Sequence, residues 1–501
     1  MNGTLARNMF ANLLQAILSA ALLFALYRYI NTTLGVEKFG VWAVVLATVS
    51  MSRLVDLGLS GSVTRFVARS LATNDTMKAM QIIDTTLITL FVIVGVFLPA
   101  LFALMNILLP YVLQGDALLD AIEILPYALA SLWLTMLLSV LQGGLEGCQR
   151  MDLRLVMVIS GQALMLAFSI ILVPQHGLVG LAIAQVAQAA FVLFLGRILL
   201  CKLLTDLAWL PKRWSRSAFR EMIGYGANLQ ATAIAMLLFD ATTKMLLARF
   251  GGPAAAGYFE MANQLVQKVR ALIIMANQAV VPHVVALTET SPSELKGFYR
   301  ANLRLLSYFA LPVFALLFAW SGVFSWLLIG ETRAQFISLV WLVGTAWLFN
   351  IFVSPAYFMN LGTGQVGRNT IAHVIMGVTN IALGWLLGSK YGAQGVVVAY
   401  VVALVLGSAF VLATSQKFWA TEEKTKQHSN ANYEHISLIA ACCAVFIFSW
   451  LVPLQAESTS ASCVALVLTF PLLMLGIGMW FNPVRRELIR LAQRNTRAVQ
   501  R

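Results

Sequence analysis

Apolar stretches recur from one end of the chain to the other, each about as long as a membrane-crossing helix and each closed by a short polar or glycine-bearing link. A helix needs about 20 apolar residues to cross the hydrocarbon core. Backbone in lipid must satisfy its own hydrogen bonds, so such runs are helices. The pattern predicts fourteen spans, at 8–30, 39–59, 82–104, 122–143, 153–173, 178–199, 223–248, 257–286, 303–328, 335–358, 369–388, 393–415, 436–454 and 462–481. Links such as Pro174-Gln175-His176-Gly177 are too short for anything but antiparallel neighbours.

The pattern also repeats. Ala11-Asn12-Leu13 opens the first span and Ala227-Asn228-Leu229 the seventh. At that offset Gly35 falls on Gly251 and Arg28 on Lys244; after a one-residue shift Gly40 falls on Gly257 and Arg53 on Arg270. Gly177-x-x-Gly180 matches Gly392-x-x-Gly395 in the same way. The expected fold class is therefore all-α integral membrane, with two pseudo-symmetric six-helix lobes and two C-terminal helices. The expected division is an N-terminal lobe over 1–200, a cytoplasmic linker over 201–222 and a C-terminal lobe over 223–415. A cytoplasmic loop over 416–435, helices 13 and 14 over 436–481 and a basic tail over 482–501 complete it. Parallel repeats of this kind place a site between the two copies.

Composition agrees with this class. Of the 501 residues 60% are hydrophobic and 11% charged, against roughly 25% charged in a soluble domain; the mean hydropathy is +0.82. The net charge of +13 would raise nucleic acid as a partner in a soluble protein. Here it is topological. With the N-terminus inside, the inner segments and adjoining helix ends hold 25 of the 34 Lys and Arg residues and the outer loops four, Lys38, Arg249, Arg333 and Lys390. The positive-inside rule then puts both termini in the cytoplasm. The five cysteines are scattered or adjacent on one helix and form no framework.

Five basic residues remain inside predicted spans: Arg28, Arg53, Lys244, Lys268 and Arg270. Charge at that depth is costly and marks a partner or a watery cavity. Span eight is the strongest lining helix. Glu260, Gln264 and Lys268 recur at four-residue intervals beside a stripe of Asn263, Gln267 and Arg270, one broad polar face at helical period. Asp240 stands one turn before Lys244 and Asp56 three residues after Arg53, so each of these bases has a local acid available. Asp240 and Glu260 are the acids best placed for Na⁺ or H⁺ coupling, and their alternative role is pairing with Lys244 and Lys268. Arg53 and Arg270, equivalent under the repeat, could clasp a diphosphate between two guanidinium groups.

No catalytic or metal constellation accompanies them. The five histidines are not at ligand spacing, and no phosphate-binding Gly-x-x-x-x-Gly-Lys loop is present. A transporter rather than an enzyme is expected, with no cofactor beyond a coupling ion.

Leu34-Gly35, Phe39-Gly40-Val41-Trp42, Asp56-Leu57-Gly58-Leu59, Arg65-Phe66 and Ala68-Arg69 resemble the polysaccharide-export, or O-antigen flippase, branch of the multidrug/oligosaccharidyl-lipid/polysaccharide exporter superfamily. Gly257-Tyr258, Ala262-Asn263, Pro282 and Gly362-x-Gly364 extend the likeness. The resemblance implies two six-helix lobes around a central cavity in the bacterial inner membrane. The implied work is flipping a polyprenyl-diphosphate-linked oligosaccharide from the inner to the outer leaflet by alternating access, alongside a polysaccharide polymerase and a chain-length regulator. Related lipid II flippases use basic residues of spans one, two and eight, which Arg28, Arg53 and Arg270 match, and use helices 13 and 14 to shape a groove for the lipid tail. Two other readings stand beside it: a cation-coupled multidrug antiporter of the same superfamily, which would show acids in control of the cavity, and a membrane-embedded polymerase or glycosyltransferase, which would need a larger outer loop than 105–121.

Overall fold

The computed structural model describes residues 2–51, 56, 58–278, 281–415, 436–451, 461–482 and 484–485. It is an all-α integral membrane protein, and thirteen α-helices are present among the described residues. They are α1 (Asn2–Ser50), α2 (Leu59–Ala72), α3 (Thr76–Leu108), α4 (Asp116–Gly147), α5 (Met151–Leu203), α6 (Arg216–Gln278) and α7 (Val281–Thr290). α8 (Leu295–Ala319), α9 (Ser321–Ile329), α10 (Ala334–Gly362), α11 (Val366–Thr414), α12 (Ile436–Leu451) and α13 (Ala461–Phe481) follow. Seven helices are long and apolar enough to cross a membrane on their own. α6, with its polar face, is not among them.

Four of the long helices are pairs of spans joined at one glycine. α1 breaks at Gly35 (φ 83°, ψ 163°) and α6 at Gly252 (φ 80°, ψ 167°). α5 breaks at Gly177 (φ 56°, ψ −131°) and α11 at Gly392 (φ 60°, ψ −144°). These values suit a residue without a Cβ. Their agreement in pairs is the repeat written in backbone angles. It also moves one alignment: Gly35 corresponds to Gly252 rather than Gly251, so the one-residue shift has already occurred at the first bend. Counting the four broken helices twice, and α2, α7 and α9 as short extensions, recovers the fourteen spans.

α1 stops at Ser50, and α2 begins at Leu59 after Gly58 (φ 73°). Gly58 is pressed against the backbone of Gly226, where a side chain would overlap the carbonyl. The Asp56 carboxylate accepts from the amide (3.1 Å) and the hydroxyl of Ser60, which fastens the first turn of α2.

The chain groups into two compact units, drawn differently from the expected lobes. One comprises 1–260 with 377–399, the other 261–376 with 400–501. In the first, the core is built from α2, α3, α4 and α5, where Val63, Phe66, Ile83, Leu90, Val140 and Val192 are buried together. This unit also takes the first half of α6 and the bend of α11. The reason is close helix contact around the glycine bends: Arg249 donates to the Tyr111 carbonyl at 2.7 Å, and Gly251 abuts Ala393. In the second unit Val284, Tyr299, Val353 and Met359 form one core. α12 and α13 pack on α8 there, with Tyr308 donating to the Met479 carbonyl at 3.1 Å and Trp320 to that of Val467 at 3.2 Å.

Candidate functional site

The polar face predicted on span eight divides between the two units. Glu260 belongs to the first. Its carboxylate lies 2.7 Å from Lys244 Nζ, which also lies 2.8 Å from Asp240. Tyr27 donates its hydroxyl to Glu260 at 3.3 Å. Lys244 and Glu260 are buried, whereas Asp240 is 44% exposed. Because α6 folds back at Gly252, residues sixteen apart in sequence face each other across the bend. Glu260 therefore pairs with Lys244 and not with Lys268, which lies two turns further along its own helix. Of the two pairings considered for the acids, one forms and the other does not.

The helices beside this cluster touch through glycines. A Cβ on Gly40 would overlap the Pro253 carbonyl, and one on Gly257 would lie 2.6 Å from that of Val36. The two glycines match under the sequence repeat and pack on one another, as residues near a pseudo-twofold axis must.

In the second unit Arg270 is the centre of a different network. Its Nη1 donates to Gln267 Oε1 at 3.4 Å and its Nη2 to Asn350 Oδ1 at 3.3 Å. The guanidinium carbon stands 4.3 Å from the centre of the Trp347 ring, a cation–π contact. Asn350 in turn donates to Ser408 at 2.9 Å. Trp347 Nε1 donates to the Tyr400 hydroxyl at 2.9 Å, which donates to Asn263 at 3.4 Å. Every partner of the guanidinium is neutral. Arg270 Nε is buried with no acceptor, and among the described residues no carboxylate lies within ion-pair distance of Arg270 or Lys268. The arrangement holds a positive charge in position without cancelling it, leaving it able to attract an anion.

Gln264 and Lys268 are half-buried on the same helix. Arg28 is half-buried near the C-terminal end of the first span, where the Thr32 hydroxyl donates to its carbonyl at 2.9 Å. Arg53 lies outside the described residues. The structure thus joins Asn263, Gln267 and Arg270 in one network and Lys244, Asp240 and Glu260 in one ion cluster.

Four members of the Arg270 network escaped the sequence reading: Trp347, Asn350, Tyr400 and Ser408. Trp347 and Asn350 are three apart on α10, well inside an apolar span. Membrane tryptophans favour the interfaces, so a mid-span Trp followed one turn later by Asn was the available signal. Asp84 and Arg197 escaped as well. They pair at 3.0 Å, with 1% and 8% side-chain exposure, between α3 and α5. By sequence position alone Arg197 belongs with the basic residues of the inner helix ends.

Solved structures with the same architecture are transporters. The lipid II flippase MurJ in an inward closed conformation superposes with a TM-score of 0.72 at 12% identity, covering 97% of this chain and 100% of that one. An inward-facing multidrug resistance MATE family transporter of the MOP superfamily gives 0.68 at 15% identity, covering 80% and 94%. A MOP superfamily transporter from Pyrococcus furiosus, described as having a binding pocket of reverse polarity, gives 0.52 at 17%, covering 83% and 92%. These identities establish the fold alone, that of the MOP superfamily. No curated protein matches the sequence. A family model described as polysaccharide biosynthesis protein matches residues 5–288, more than half of the chain, and the chain belongs to that family.

Proposed function

We propose that the protein is a flippase that moves a polyprenyl-diphosphate-linked oligosaccharide, an O-antigen or other surface-polysaccharide repeat unit, from the inner to the outer leaflet of a bacterial inner membrane. The observation that carries this reading is the sign of the charge left uncompensated in the membrane interior. The buried acids among the described residues, Asp84 and Glu260, are each matched to a base. Arg270 and Lys268 have no such match. A multidrug cation antiporter needs the opposite arrangement. Family membership and the fold shared with MurJ support the same reading.

In this proposal Arg270, Arg53, Lys268 and Arg28 receive the diphosphate, with Asn263, Gln264 and Gln267 binding polar groups beside it. Lys244, matched by two carboxylates, braces the helices instead. The sugars ride in an aqueous chamber while the prenyl tail stays in lipid, and alternating access carries the headgroup across. With the inside negative, moving about two negative charges outward gains roughly 4–5 kcal/mol per 100 mV, so the membrane potential alone can drive the cycle. Both termini are cytoplasmic in this orientation, and Asp240, half exposed at the edge of the ion cluster, is the acid placed to add Na⁺ or H⁺ coupling. A polysaccharide polymerase and a chain-length regulator would act on the delivered product.

The test is reconstitution with a labelled polyprenyl-diphosphate sugar and an assay of leaflet accessibility. Wild-type vesicles should transfer label across the bilayer, faster with an imposed potential, negative on the side from which label departs. Arg270→Ala should insert normally and transfer none. Wild-type transfer rates in that variant would remove Arg270 from the mechanism, and absence of transfer by the wild type would overturn the flippase reading.

A further inference from the structure

The first unit contains a second feature with the chemistry of a binding site, remote in sequence from the ion cluster. A cavity of about 540 Å³ lies between α3, α4, α5 and the segment 204–215 that leads into α6. That volume is within the range of small-molecule pockets, roughly 300–1,000 Å³. Its walls are almost wholly apolar. Phe91, Phe194, Trp209 and Leu210 line it and are themselves 48–63% exposed, so the cavity opens among side chains that face lipid. Phe194 and Trp209 stand edge to face, 5.3 Å between ring centres, and form one wall.

One polar group interrupts this lining. Arg197 is 6% exposed and lines the cavity. Its Nη2 pairs with Asp84, its Nε donates to the Trp209 carbonyl at 2.9 Å, and Nη2 also reaches the Ala208 carbonyl. Nη1 is buried and has no acceptor. A buried donor without an acceptor costs about 1–3 kcal/mol, and Arg197 is the one charged residue in the cavity wall. Lys212 and Arg213 follow at the same end of the cavity, directly after its wall residues Trp209, Leu210 and Pro211, and Arg216 and Arg220 lie beyond them. An apolar slot with a hydrogen-bond donor in its wall and a basic rim is complementary to one class of molecule: an amphiphile with a hydrocarbon chain, an ester oxygen and a negative headgroup.

We infer that this cavity is a binding site for an anionic phospholipid of the surrounding bilayer. One acyl chain lies along Phe91, Trp133 and Phe194. The headgroup end lies toward Arg197, Lys212 and Arg213, whose positive charges attract the phosphate. The site is independent of the flippase reading, since it uses none of the residues assigned there. Its consequence is local. Lipid bound here would hold Trp209 and its neighbours against α3, where the Lys212 amide already donates to Asp84 at 3.3 Å and the Ser215 amide to Thr85 at 3.0 Å.

Native mass spectrometry of the full chain in detergent, titrated with phosphatidylglycerol and in parallel with phosphatidylcholine, tests the inference. The protein should retain one phosphatidylglycerol, preferred about fivefold or more over phosphatidylcholine, the factor expected for one basic residue engaged near a headgroup. Ala190→Trp fills the cavity from an exposed position, and Trp209→Ala removes a rim wall; each should abolish retention with the unfolding temperature preserved. Lys212→Gln with Arg213→Gln should erase the preference between headgroups. Retention unaffected by Ala190→Trp and Trp209→Ala, or equal retention of the two lipids by the wild type, would overturn the assignment. Displacement of phosphatidylglycerol by a polyprenyl phosphate at equal concentration would overturn it too, by giving the cavity to a prenyl chain.

Discussion

Removing the ammonium group of Lys244 should destabilise the protein far more than removing either of its acids. At 2.7 Å and an effective dielectric of about 20, the Lys244–Glu260 attraction is about 6 kcal/mol before desolvation is subtracted. Asp240 at 2.8 Å adds about 1 kcal/mol or less, because it is 44% exposed and screened. Lys244→Met deletes both attractions and leaves Glu260, 8% exposed, as a buried charge beside a second carboxylate; such a loss costs about 3–5 kcal/mol. Glu260→Gln is milder. Lys244 keeps Asp240 and the Tyr27 hydroxyl keeps an amide oxygen to donate to, so about 1–3 kcal/mol is lost. The two changes together should be less damaging than Lys244→Met alone, since the stranded carboxylate is gone. The assay is thermal unfolding in detergent followed by tryptophan fluorescence, with all four members of the cycle measured side by side. Lys244→Met unfolding at the wild-type temperature, or a double variant no more stable than Lys244→Met, would refute the view that this lysine is a neutralised brace.

Asn350→Asp should supply the missing counter-ion to Arg270 at a distance already set at 3.3 Å, so that transfer in the reconstituted assay collapses while thermal stability is kept or raised; full transfer would show that the uncancelled charge is not required. Gly40→Ala places a methyl group on the Pro253 carbonyl and should force the helices apart, costing about 1–3 kcal/mol and lowering disulfide cross-linking of a Val36→Cys, Pro253→Cys pair; undiminished cross-linking would rule out the tight contact.

Span number and repeat were legible because both are written in one-dimensional terms. Apolar run length counts spans, and Gly35, Gly177, Gly252 and Gly392 recur where each pair of spans turns. The polar face of span eight was legible as well, since its period is that of a helix. What it faces was not. Glu260 and Lys268 share that face in sequence, but Gly252 swings Glu260 onto Lys244, a contact set by a bend angle rather than by residue spacing. Asp84 and Arg197 were hidden for a related reason. Each stands near the end of its span, where a charge reads as an interfacial residue, and only the packing of α3 on α5 brings them to 3.0 Å. The start of α2 was not legible because the Gly58–Gly226 contact that precedes it is set by packing and not by residue spacing.

The two cations equivalent under the repeat stand among different acids. Asp240 and Glu260 flank Lys244; the residues at the matching positions of the first copy are Phe24 and Ala43. The first copy therefore carries Arg28 with neither of the two carboxylates that cancel its twin. Tyr27, whose counterpart is Thr243, crosses between the copies to donate to Glu260, while Thr243 is held by Asn380 Nδ2 at 2.8 Å. Both acids stand in one copy, and there they fasten helices beside the Gly40–Gly257 contact. A symmetric pair of cations has become one brace, Lys244 between Asp240 and Glu260, and one arginine, Arg28, without acids at those two matching positions. That asymmetry is the physical ground for giving Lys244 a bracing role and leaving it out of the proposed headgroup site.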